Sequence, residues 1–180
     1  MRRTPSPHAA SVLPTILGIG LVAGTLDIGD ALIFAGRRGV TPSMVFRFIG
    51  SGLIGMSAAA KGPAPVFLGV ILHYTIALAW TAAFVLASLR IPVLGRRPVI
   101  SGLAYGLLVY LVMNLIVLPL SRVPPRPGPT PLAARVNGVL AVMLCIGLAI
   151  SLLTRWRFGN TTDATLATKA APGDRPVASR

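Results

Sequence analysis

PTILGIGLVAGTLDIGDALIF, residues 14–34, is the stretch from which the rest of the chain is read. As a helix rising ~1.5 Å per residue it reaches about 30 Å, the thickness of a bilayer's hydrocarbon core. Within it stand Asp27 and Asp30, half of the four acidic residues in the protein. A carboxylate among lipid tails costs at least a few kcal/mol, so these side chains must face protein or a wet cavity. The stretch is therefore a membrane span with an inward polar face.

Composition agrees. Apolar residues make up 54% of the 180, charged residues 12%, and the mean hydropathy is +0.77. So few charges cannot cover such apolar surface in water, where soluble domains carry roughly 25% charged residues. One all-α integral membrane domain is expected. The net charge of +13 does not point to nucleic acid, because the 17 Lys and Arg flank the apolar runs instead of forming one basic stripe. They match anchors for a bilayer with anionic head groups. Cys145, the only cysteine, excludes an intrachain disulfide or a thiolate metal pair and reads as a small packing residue. Arg2 and Arg3 precede the first run as in a secretory signal, but two Asp and the lack of an A-x-A site argue for a retained span.

Taken in order, residues 1–13 read as a flexible lead-in and 14–157 as the membrane domain. Residues 158–180, polar and small, read as a disordered tail. The predicted spans are 14–34, 66–87, 99–120 and 132–153. Gly20, Gly24, Asp27 and Ala31 share one stripe, and Gly20 and Gly24 form a GxxxG that admits a neighbouring helix. A second GxxxG stands at Gly102 and Gly106. Residues 42–60 are apolar but broken by Arg47 and three glycines, too short for a comfortable crossing. They suit an interfacial or re-entrant segment between the first two spans, with Arg47 snorkelling. Residues 90–98 form a short basic loop, and 121–131 a proline-rich one without regular structure. The expected fold is a four-transmembrane-helix bundle with both ends on one side.

Each span carries a polar residue off its midpoint. From the rise per residue, Asp27 lies ~5 Å and Asp30 ~9 Å past the middle of the first span. His73 comes ~5 Å before the middle of the second, Asn114 ~7 Å after that of the third, and Asn137 and Arg135 ~8 and ~11 Å before that of the fourth. Because successive spans alternate in direction, all six fall in one leaflet. The spacing predicts a buried polar layer in which Asp30 pairs with Arg135 and Asp27 bonds His73 or Asn114. Two roles fit such a layer. It is a path for protons or small solutes, as intramembrane ionisable groups commonly are, or it only fixes helix packing in a structural or accessory membrane protein.

No catalytic motif is present: there is no Glu, no GxSxG and no P-loop, so an enzyme is not expected. Asp27, Asp30 and His73 lack the spacing of a recognised metal site, and neither metal nor cofactor is called for. Four short helices with two glycine rows predict little interior volume in one protomer, hence a homo-oligomer or a partner membrane protein. Near-membrane basic residues number seven on the side of the termini (Arg2, Arg3, Arg90, Arg96, Arg97, Arg155, Arg157). Opposite them stand five (Arg37, Arg38, Lys61, Arg122, Arg126), which favours cytoplasmic termini.

GLVAG (20–24), Leu72-His73 and MNLIVLPLSRVPP (113–125) resemble small, uncharacterised bacterial four-span inner-membrane proteins, distantly of the YagU type. The likeness covers roughly residues 14–155. It implies a bacterial cytoplasmic membrane and supplies no activity or catalytic residues.

Overall fold

The computed structural model describes residues 7–123, 128 and 130–158 of the chain. The elements, in order, are α1 (Pro7–Gly36), α2 (Pro42–Ile54), α3 (Met56–Ala59), α4 (Ala64–Arg90), α5 (Pro92–Arg96), α6 (Pro98–Leu120) and α7 (Leu132–Phe158). Among the described residues, α1 from Val12, α4, α6 and α7 are long and apolar enough to cross a membrane. They form an all-α four-helix bundle, and the protein is a multi-pass membrane protein. Large apolar side chains such as Phe67, Ile71, Leu115 and Leu140 are exposed on its outside, as on a surface that faces lipid or a neighbouring membrane protein.

Four local readings are corrected. Residues 7–13, expected to be flexible, are the first two turns of α1, with Pro14 inside the helix. Proline there forfeits the bond its missing N–H would give to the carbonyl of residue 10 and crowds that carbonyl with its ring. The basic loop after α4 contains the short α5. Residues 42–60 are two helices instead of one segment, broken at Gly55, whose φ of 84° lies where side chains are disfavoured. Arg47 does not snorkel either. Its Nη1 donates to the Ala59 carbonyl at 2.7 Å and so caps the C-terminus of α3. The remaining calls on residues 1–6, 124–127, 129 and 159–180 lie outside the described residues.

Glycines set the helix crossings. A Cβ at Gly20 would stand 2.6 Å from Leu78 Cδ2, and one at Gly24 3.0 Å from Ala77 Cβ, so this row receives α4. Gly102 and Gly106 receive α7: a Cβ would come within 2.9 Å of the Gly147 carbonyl oxygen and 2.5 Å of Met143 Cα. Gly147 meets the same two residues backbone to backbone from the other side. The crossing of α2 over α4 rests on Gly50 against Pro65 and Gly69 against Phe46, a pairing the sequence reading did not single out. Both predicted GxxxG rows are thus used within the protomer.

All four long helices close on one another at one end of the bundle. Ile19, Ala23, Phe84, Val109, Ile146 and Ile150 form the core in the half nearest the helix ends that lead to the two termini. There Tyr105 donates to the Trp80 carbonyl at 2.6 Å and packs edge-on to Phe84, and Ser151 donates to the Pro98 carbonyl at 2.7 Å. In the other half α2 packs on α4 and α1, while among the described residues its one backbone hydrogen bond toward the α6 side runs from Arg122 N to the Gly52 carbonyl at 2.9 Å. This half is splayed.

Since Pro42–Ile54 is too short to cross, reporter fusions at Gly39 and Gly62 are expected on the same side and one at Gly95 on the other. Opposite results for Gly39 and Gly62 would show that the segment spans.

Candidate functional site

The splayed half holds a cavity of about 1080 Å³ that is open on one side. Its walls are α1 (Asp27, Asp30, Phe34), α2 (Met44, Val45, Phe48), α6 (Tyr110, Asn114, Leu118) and α7 (Arg135, Asn137, Val142), with Arg38 just beyond α1. Five of the six residues read as a polar layer therefore border one space: Asp27, Asp30, Asn114, Arg135 and Asn137. His73 does not. It stands on α4, none of whose described residues lines the cavity, and it bonds to α1.

The expectation of little interior volume is overturned here. Four helices alone would close on each other through their glycine rows. The inserted α2, held on α4 at Gly50 and Gly69, supplies a wall of the cavity.

The predicted pairings also change. Asp30 accepts a hydrogen bond from Asn137 Nδ2 at 2.8 Å, not from Arg135. Asn137 is two residues further along α7, about 200° round the helix axis, so only one of the two can face α1. Arg135 is exposed at the rim instead. His73 Nε2 is 2.8 Å from the Gly24 carbonyl oxygen. A carbonyl only accepts, so this nitrogen carries the proton and is not bonded to Asp27. Asn114 donates back to the Tyr110 carbonyl at 2.8 Å, one turn earlier. Asp27 thus accepts a hydrogen bond from neither of its predicted partners, nor from any other described residue. It remains within electrostatic reach of His73 and of Asp30.

Two features of the site were not foreseen. α6 and α7 each contain a π-helical stretch, Met113–Val117 and Val142–Leu148. Such widened turns shift backbone bonding out of α register, and one holds Asn114 while the other contains Val142 of the cavity wall. Cys145, in the second, lies within electrostatic reach of both carboxylates. Arg38 was read as a membrane anchor, yet its guanidinium sits 4.2 Å above the Phe34 ring. The i, i+4 spacing of Phe34 and Arg38 is a sequence signal that could have placed it.

Chemically, the site offers two carboxylates at the floor, amides and a phenol on one wall, rings and aliphatic groups around them, and two arginines at the rim. Among the described residues no group of three or more His, Cys, Asp or Glu gathers to hold a metal ion. The Asp30–Asn137 bond carries a test. Asp30→Asn keeps an acceptor for Asn137 and strands no arginine, so its abundance in membranes is expected to stay close to wild type. A severe loss of protein would mean that Asp30 is ion-paired after all.

In comparisons with known proteins, no family model matches the chain, and neither a curated protein nor a solved structure does.

Proposed function

We propose that this protein is a small-solute transport or permeation protein of the bacterial cytoplasmic membrane, linked to proton exchange at Asp27. One observation carries the reading: two carboxylates at the floor of a large cavity, neither joined to an arginine, lysine or histidine by an ion pair among the described residues. An isolated carboxylate away from bulk water is costly when ionised. A proton or the positive charge of a solute relieves that cost. Occupancy and protonation then compete for one site, which is the physical basis of coupling.

With both termini cytoplasmic, as the distribution of basic residues favours, the cavity opens away from the cytoplasm. The close-packed Gly102–Gly106–Gly147 half stands between it and the inside. A transport cycle has to loosen that half; association with a second copy is a separate proposal that no longer follows from interior volume, since one protomer holds the cavity. A strict monomer in mild detergent at all concentrations would overturn it, and an active C-terminal alkaline phosphatase fusion would reverse the orientation.

A second reading is favoured by the Asp30–Asn137 bond, which ties α1 to α7 and could serve packing alone. Interhelical bonds of this kind average about 0.6 kcal/mol in membranes, enough to fix register. On that reading the protein is a structural or accessory membrane component. Proteoliposomes separate the two. A pH gradient imposed across vesicles holding the protein should relax faster than in empty vesicles, and equal rates favour the accessory role.

A further inference from the structure

We propose that the cavity takes a monocationic organic ligand, a protonated or quaternary amine with an apolar body, whose charge lies against Asp27 and Asp30. The proposal rests on the reading of this cavity as a solute site and names its ligand class.

Shape and lining decide the class. At about 1080 Å³ the cavity is far larger than an inorganic ion needs and matches the size of sites for drug-like molecules. A bare metal ion would want several more oxygen ligands, and no further carboxylate or imidazole joins the pair among the described residues. Around the carboxylates the wall is Phe34, Phe48, Tyr110, Val45, Leu118 and Val142. Such a wall suits an apolar body, and its ring faces attract a cation. The wall already shows this preference, because the Arg38 guanidinium rests on the Phe34 ring at 4.2 Å. Phe48 and Tyr110 are the other two rings bordering the space.

Charge selects the sign. An anion would meet two carboxylates at the floor. Arg38 and Arg135 line the same cavity, but both are exposed, where salt screens a charge beyond about 8–10 Å. The carboxylates are recessed in a medium of lower dielectric, and their field dominates the interior. Asn137 satisfies only one oxygen of Asp30, and Asp27 keeps both of its own for a ligand.

The test uses the full chain in lipid nanodiscs with two probes of nearly equal shape and opposite charge, tetraphenylphosphonium and tetraphenylborate. Binding is measured by equilibrium dialysis, and binding to empty nanodiscs is subtracted. Saturable binding of the phosphonium at least about tenfold tighter than the borate is expected, with loss of most of that preference in the Asp27→Asn/Asp30→Asn protein. A tenfold ratio corresponds to ~1.4 kcal/mol. Tighter borate binding would mean that the rim arginines define an anion or lipid-headgroup site, and the proposal falls. It falls equally if neither probe binds saturably, or if the double variant is folded and binds the phosphonium unchanged. The comparison in the unsubstituted protein stands even if the variant does not accumulate. Proton flux from the proteoliposome assay keeps the two readings apart. Flux without cation selectivity overturns the ligand class alone, and cation selectivity without flux supports the site while removing transport.

Discussion

Asp27→Asn inserts and accumulates like the unsubstituted protein, yet its proton-linked flux falls to the level of empty vesicles. This is the expected result if the floor carboxylates exchange protons. Asparagine keeps the size of aspartate and an acceptor oxygen. Because Asp27 accepts no hydrogen bond from the described residues, no bond is broken. Removing an ionisable group from a half-buried site within the bundle also lifts a desolvation cost, so abundance should hold or rise. What disappears is the group whose charge changes. Asp27→Leu is the companion, since it is neutral but forms no hydrogen bonds with water or ligand in the cavity. If Asp27→Asn leaves flux intact while Asp27→Leu prevents accumulation, the layer is structural and the transport reading is abandoned. Western blots of membrane fractions and pyranine fluorescence in vesicles supply the two readouts.

The second large effect is on the fold. Gly147→Leu should abolish accumulation, because a Cβ at Gly147 runs into the Gly102 carbonyl and would lie 2.5 Å from Gly106 N. Those neighbours are backbone and cannot rotate away. Overpacking a core typically costs about 1–3 kcal/mol, and a clash with rigid backbone belongs at or above the top of that range. Separating α6 from α7 here would also pull apart Val109, Ile146 and Ile150. Gly18→Leu is the control: nothing stands within 4 Å of its Cβ position, and it should be tolerated. Thermal unfolding in detergent, followed by thiol exposure at Cys145, gives the ranking. Equal stability of the two variants would show that the α6–α7 crossing is not close-packed.

Several features were legible without coordinates. The number of spans and their places follow from apolar run lengths, and the four helices exceed the predicted stretches by only a few residues at their ends. Gly20, Gly24, Gly102 and Gly106 were readable as contact rows because a residue without a side chain has no better use in a packed membrane helix.

Partner choice was not. Asp30 and Asn137 are 107 residues apart, and whether Asn137 or Arg135 turns toward α1 depends on the rotation of α7 about its own axis. That rotation is set by Gly147 against Gly102 and Gly106, contacts that exist only once the helices are packed. The π-helical turns shift the register further, and no local residue pattern announced them. The cavity itself depends on α2 lying over α4 through Gly50 and Gly69, a crossing between two segments whose hydropathy alone left them unrelated. Apolar run length, a local property, determined that this chain enters a membrane four times. Which polar groups face one another, and that they face a cavity, was decided by helix rotation and by one short helix inserted between long ones.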